Sequence, residues 1–222
     1  MSKRKYISLL LLLLSFVVHG QFNDFGVWQS VSLKKNISSR FQIELSEKIR
    51  FNENASTLYY AKSSIRAAYK INNYFTLSLN YAYIHRRFNR EESDARHRYY
   101  VAATFKKKWT NLSIAYRNQL QMQYTNFLSN ENGNVPSFIE RNKVTIKYSG
   151  LWISPYVAAE IYLPLNGKQA LLFNRTRYFA GIFYEINKVQ EFEFYFLYEN
   201  NYNSVNPPQK FVIGVGYTHT FY

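Results

Sequence analysis

Ile37-Ser38-Ser39-Arg40-Phe41-Gln42-Ile43-Glu44-Leu45-Ser46-Glu47-Lys48-Ile49-Arg50-Phe51 repeats with a period of two. Ile37, Phe41, Ile43, Leu45, Ile49 and Phe51 share one phase, broken only by Ser39 and Glu47. Ser38, Arg40, Gln42, Glu44, Ser46, Lys48 and Arg50 fill the other, polar throughout. Successive side chains of a strand point to opposite faces, so the segment reads as a strand with one apolar and one charged side. An amphipathic helix would need a period of 3.6.

The same alternation recurs on both sides of this stretch. Phe75, Leu77, Leu79, Tyr81 and Tyr83 oppose Thr76, Ser78 and Asn80. Tyr99, Val101, Ala103 and Phe105 oppose Arg98, Thr104 and Lys106, and Leu112, Ile114, Tyr116, Leu120 and Met122 oppose Ser113, Arg117, Gln119 and Gln121. Towards the end, Phe192, Phe194, Phe196 and Tyr198 oppose Glu191, Glu193 and Glu199, and Phe211, Ile213, Val215, Tyr217 and Phe221 oppose Gly214, Gly216, Thr218 and Thr220. About eleven strands can be read, each longer than the usual five or six residues of a soluble sheet. Tight turns at Lys35-Asn36, Asn72-Asn73, Lys107-Lys108, Ser149-Gly150 and Asn187-Lys188 alternate with longer polar loops at 52–56, 88–95, 125–137, 164–174 and 200–209. Short turns on one rim and long loops on the other is the layout of a transmembrane barrel.

A soluble barrel or sandwich shows the same alternation with its apolar face inward. The aromatic content weighs against that reading: 21 Tyr and 18 Phe, largely in the apolar phase, supply too much ring volume for a small interior. Tyr, with an apolar ring and a polar tip, suits a membrane–water boundary. The expected fold is therefore all-β, a transmembrane antiparallel up-and-down barrel. Bacterial single-chain barrels normally have an even strand number. About twelve strands is the first expectation and ten the second, with either an extra short strand at 22–27 or the segment 27–33 outside the ladder.

Residues 1–20 read as a signal peptide and 21–222 as the barrel domain. Lys3, Arg4 and Lys5 precede an apolar run from Ile7 to Val18, and Val18-His19-Gly20 suits cleavage before Gln21. The run is short for a membrane-spanning helix, which needs roughly 20 residues; the alternative is an uncleaved anchor. Without those three basic residues, 25 Lys and Arg remain against 14 Asp and Glu, a net charge of about +11. They are dispersed along the strands, and an exported chain is not expected to meet nucleic acid. With no cysteine, the chain has no disulfide, thiolate metal site, cysteine nucleophile or lipoprotein anchor. The expected location is the cell outer membrane, with outer-membrane lipids and the barrel assembly machinery as partners. No cofactor or metal is expected, and the chain is expected to be a monomer.

Phe25-Gly26-Val27-Trp28, the segment 44–54 (ELSEKIRFNEN), His97-Arg98-Tyr99-Tyr100, Arg141-Asn142-Lys143-Val144 and Asn174-Arg175-Thr176-Arg177-Tyr178 form a set of stretches spread over the chain. Together they resemble an outer-membrane barrel family common in Bacteroidetes, the domain of unknown function 2490. The resemblance covers the mature chain and implies an outer-membrane barrel; it carries neither an activity nor functional residues. The closing Phe221-Tyr222 resembles the terminal aromatic signal that barrel assembly reads, although the apolar phase lands on Phe221 and Tyr222 lies one residue beyond.

Three functions follow as expectations. The first is a non-enzymatic envelope component or narrow anion-favouring pore. Its lumen network comprises Arg40, Glu44, Arg50, Arg66, Arg98, Arg117, Glu160, Arg175, Arg177, Glu193 and Glu199, extended by Lys48, Lys62, Gln119, Gln121, Arg141, Lys143, Lys147, Glu185 and Glu191. Such side chains either plug a narrow barrel by pairing with one another or leave a positive path. The second is a lipid-modifying enzyme at His85 and His97, which flank one loop in the lipid-facing phase. A hydrolase needs a nucleophile beside its base. No His-x-Ser occurs, and Ser93 and Asp94 read as turn residues, so both His fit better in an interfacial belt with Tyr83 and Tyr99. His219 is placed at the opposite boundary. The third is a surface protein binding partners through loops 125–137 or 164–174.

Overall fold

In the computed structural model of the chain, residues 23–87, 92–125, 136–167, 170–202 and 209–222 are described. The leader at 1–20, its cleavage point, residue 22 and most of the longer loops lie outside them. Eleven strands form one closed barrel: β1 (Asn23–Asn36), β2 (Phe41–Asn52), β3 (Thr57–Lys70), β4 (Phe75–Arg87), β5 (Ser93–Lys108), β6 (Leu112–Thr125), β7 (Ser137–Tyr148), β8 (Ser154–Pro164), β9 (Arg175–Glu185), β10 (Gln190–Asn201) and β11 (Gln209–Phe221). Each pairs antiparallel with its sequence neighbours.

The strand number is eleven, neither twelve nor ten. In an up-and-down chain the directions alternate, so the first and eleventh strands run the same way. The barrel closes by pairing them in parallel, from Asn23 beside Gln209 to Lys35 beside Phe221. Segment 27–33 is thus inside the ladder, and 23–27 belongs to the same strand instead of a separate one. Parallel pairing is slightly weaker per residue. At the turn rim the Lys35 ammonium adds a 2.6 Å hydrogen bond to the backbone oxygen of Tyr222.

Three turns on one rim share a device. In Ile37-Ser38-Ser39-Arg40, Ile71-Asn72-Asn73-Tyr74 and Ile186-Asn187-Lys188-Val189, the Ile N–H donates to the carbonyl four residues on. The oxygen of Ser38, Asn72 or Asn187 accepts the backbone N–H groups two and three residues on. Such short polar side chains imitate a backbone turn. The strand alternation begins at Phe41 and not at Ile37, and Arg40 is an exposed turn residue outside the lumen. The turn near Lys107-Lys108 falls slightly later, at 109–111.

The polarity is inside-out relative to a soluble sheet. Leu45, Leu79, Val101, Leu120, Val157, Phe194 and Phe196 stand exposed on the outer surface. Glu160, Arg177, Glu199, Gln119 and Gln121 are buried inside. A closed ladder satisfies the backbone without water, so this surface suits a bilayer. Not every aromatic faces outward, however. Trp28 of β1 packs inside the barrel against Tyr156, Ala158, Tyr195, Leu197 and Val212 of β8, β10 and β11. Gly214 makes room for them: it lies beside Trp28 across the seam and opposite Tyr195. A Cβ there would sit 1.9 Å from the Tyr195 ring.

Candidate functional site

The inward phase encloses a cavity of about 1070 Å³. Its lining extends from Lys34, Glu44 and Thr104 near the turn rim to Arg86, Arg175, Tyr202 and Lys210 near the loop rim. Among the described residues, fourteen Lys and Arg line it against five Glu of the inward phase, Glu44, Glu160, Glu191, Glu193 and Glu199. The positive surplus expected of the lumen is present, and strand register determines how it is distributed.

On the β6–β10 wall the charges are paired. Glu160 Oε1 accepts from Arg117 and Arg141, both at 2.8 Å, and Tyr162 donates to Oε2 at 3.0 Å. Glu199 Oε2 accepts from Arg177 Nε at 2.6 Å, while Arg175 stands 3.9 Å from Oε1. Arg177 also donates to the Tyr162 hydroxyl and lies 4.0 Å from Glu160. Glu160 is only 2% exposed, so three guanidiniums and a phenol replace the water it lost. Glu193 accepts a short 2.5 Å bond from Tyr156, and Lys147 stands 3.9 Å from Glu191.

The β2–β5 wall differs. Arg66 reaches Glu44 at 3.4 Å, but no carboxylate among the described residues lies within 4 Å of Lys48, Arg50, Lys62 or Arg98. Lys48 faces Lys62 directly across the β2–β3 ladder. Arg98 uses a neutral partner, donating twice to Gln123 at 2.6 and 3.0 Å. The Arg50 guanidinium is held between rings, 3.8 Å from Trp28 and 4.1 Å from Tyr60. Cation–π contact fixes its position without neutralising its charge. The Tyr60 hydroxyl and Arg50 Nε are buried and have no hydrogen-bond partner among the described residues. Lys62 and Arg98 flank Ile84 and Ala82 of β4, both fully buried. Four cations and a phenol without a hydrogen-bond partner among the described residues therefore converge where no described carboxylate comes within 4 Å of the cations. Chemically, that is a place for a small anion.

Of the expected network, Glu44, Arg50, Arg66, Arg98, Arg117, Glu160, Arg175, Arg177, Glu193 and Glu199 all line the cavity, as do Lys48, Lys62, Gln119, Gln121, Arg141, Lys143 and Glu191. Arg40, Lys147 and Glu185 do not: Arg40 is a turn residue, Glu185 is exposed at the end of β9, and Lys147 stands 3.9 Å from Glu191. Trp28, Tyr60, Tyr156, Tyr162 and Tyr195 were missed. Tyr162 and Tyr195 share the phase of Glu160 and Glu193, which was the available signal.

His85 and His97 do occupy adjacent strands on the outer face: Ala95 stands opposite His85, and Tyr83 opposite His97. The His97 Nδ1 is 2.9 Å from the Tyr81 hydroxyl, and its ring touches Tyr81 and Tyr83. Asp94 faces the lumen and is bound to Arg96, so it cannot orient either imidazole. Ser93 lies diagonal to His85, and no hydrogen bond joins them. No group of three metal-ligating side chains occurs among the described residues. At the turn rim His219 contacts Tyr217 and Phe221, and Tyr222 donates to the Lys188 carbonyl.

A closed ladder with an apolar exterior and a charged, partly filled interior defines a transmembrane β-barrel. The chain belongs to the family described as Protein of unknown function (DUF2490), whose model matches residues 25–219. It is similar in structure to the beta domain of the Bordetella autotransporter BrkA, at 10% sequence identity and a TM-score of 0.48, covering 83% of this chain and 85% of that one. No curated protein matches the chain.

Proposed function

We propose that this barrel resides in the cell outer membrane, exported by a cleaved leader and assembled through its terminal strand, and that it performs no covalent chemistry. It serves as an envelope component whose lumen is a narrow, anion-favouring pore. The uncompensated cluster of Lys48, Arg50, Lys62 and Arg98 carries this reading. A positive lining raises the local concentration of anions and excludes cations, provided the path is continuous. A cavity lined by residues near both rims supports such a path. Outer-membrane lipids and the assembly machinery are the partners this reading needs.

The test is single-barrel conductance in a planar bilayer under a salt gradient. The expected result is a small conductance whose reversal potential has the sign of anion selectivity. No current, or a cation-selective one, would overturn the pore and leave a structural envelope role. The enzyme reading at His85 and His97 has weaker support, since the His97 imidazole is engaged by the Tyr81 hydroxyl and the nearby carboxylate of Asp94 is bound to Arg96. An acyl change in outer-membrane lipids that disappears in His97→Ala would revive it.

A further inference from the structure

The lipid-facing side of the barrel carries a hydrogen-bonded polar cluster at mid-height. Asn118 of β6 stands directly opposite Asn142 of β7, and Glu140 opposite Leu120. Asn118 Nδ2 donates to Glu140 Oε1 at 2.6 Å and to Asn142 Oδ1 at 2.9 Å. Asn142 Nδ2 donates to Glu140 Oε1 at 3.1 Å, and the Tyr116 hydroxyl donates to Asn142 Oδ1 at 2.6 Å. All four side chains belong to the outward phase, shared with Ile114, Leu120, Val144 and Ile146. Asn142 is five residues from the start of β7, roughly 16 Å along the strand. The cluster is therefore bracketed above and below by apolar residues instead of lying at a rim.

Polar side chains at this depth find no partner in lipid, and in membrane proteins they mark contacts with other protein. The hydrogen bonds left unmade indicate what that protein is. Asn118 has spent both amide hydrogens and keeps a vacant carbonyl oxygen. Asn142 has filled its oxygen twice and keeps one amide hydrogen. A two-fold axis along the membrane normal sets the donor of one copy against the acceptor of the other, and does so twice, as isologous interfaces require. We infer that the β6–β7 face is the dimer interface of this barrel with a second copy of the same chain. This reading differs from the monomer expected from the sequence. The other outward acid in mid-strand, Glu47, takes its bond from Ser63 at 2.9 Å and offers no donor in return.

The absence of cysteine permits a direct test. Leu120→Cys on the β6–β7 face and Leu45→Cys beside Glu47 are each reconstituted in lipid vesicles and oxidised. The expected result is a disulfide-linked dimer from Leu120→Cys at least about tenfold faster than from Leu45→Cys. The apolar variant Asn118→Leu/Glu140→Leu/Asn142→Leu, which removes the cluster without losing the lipid-facing surface, is expected to weaken dimerisation by about tenfold, the equivalent of one or two membrane hydrogen bonds. Retained resistance of the folded barrel to detergent unfolding shows that the variant is intact. A barrel that sediments as a monomer in lipid, equal cross-linking from both positions, or a dimer undiminished by the triple variant would each overturn the inference.

Discussion

The two walls of the lumen solve the same problem in opposite ways. On β6–β10 each buried carboxylate is surrounded: Glu160 by Arg117, Arg141 and Tyr162, Glu199 by Arg177. Aromatic rings fill the space behind them. On β2–β5 the cations are held in place by rings, an amide and the chain's own geometry, with no carboxylate among the described residues within 4 Å of Lys48, Arg50, Lys62 or Arg98. One wall is a structural keystone; the other is an unbalanced surface kept in position by its neighbours. Stability and selectivity should therefore be separable by mutation, one wall carrying each.

The largest effect is expected at Glu160. Glu160→Gln leaves three guanidiniums facing a neutral group at a buried position, and breaking a buried pair from one side costs about 3–5 kcal/mol. Urea unfolding of the lipid-reconstituted barrel should register that loss, while anion selectivity holds or rises because a negative charge has gone. A loss below 1 kcal/mol would mean the paired wall is not a keystone. Gly214→Ala comes next. Its new methyl would collide with the Tyr195 ring, and overpacking of this kind costs about 1–3 kcal/mol. Adding Tyr195→Ala should restore part of the loss; a double variant that is simply the sum of the two would show that the ring and the glycine do not interact.

How far the sequence carried this picture depends on what each feature needs. Strand faces were legible because a period of two is local: Glu44, Arg66, Arg117 and Glu199 landed inside as their phase required. The closure was not, because the pairing of β1 with β11 is a contact between the two ends of the chain and leaves no mark on either segment. Ile37-Ser38-Ser39-Arg40 misled by continuing the alternation through a turn, which pulled Arg40 into the expected lumen. Tyr gave no side of its own, since an amphipathic ring fits a bilayer edge and a wet interior equally well. Tyr156 and Tyr195 needed the phase of Glu160 and Glu193 to place them. Which cations go unpaired was also hidden, because it depends on register: Lys48 faces Lys62, whereas Arg177 faces Glu199 and Glu160. The gap in the apolar row between Tyr116 and Leu120, where Asn118 sits, is itself visible in the sequence.

The smallest expected change in stability belongs to the unbalanced wall, where it discriminates most. Like charges set opposite each other on a ladder destabilise by roughly 0.2–1 kcal/mol. Lys48→Gln/Lys62→Gln should therefore leave the unfolding free energy unchanged or raise it by up to about 1 kcal/mol. The same variant removes two of the four charges with no carboxylate partner, so its reversal potential should move clearly towards zero. Glu160→Gln is expected to do the reverse, losing stability while keeping selectivity. If the lysine pair instead proves essential for folding, those ammonium groups are answered by a counter-charge within the barrel, and the contrast between the walls collapses. If selectivity survives their removal, the field must be set by the rims, where Arg86, Arg175 and Lys210 stand, and the four-cation cluster is a bystander.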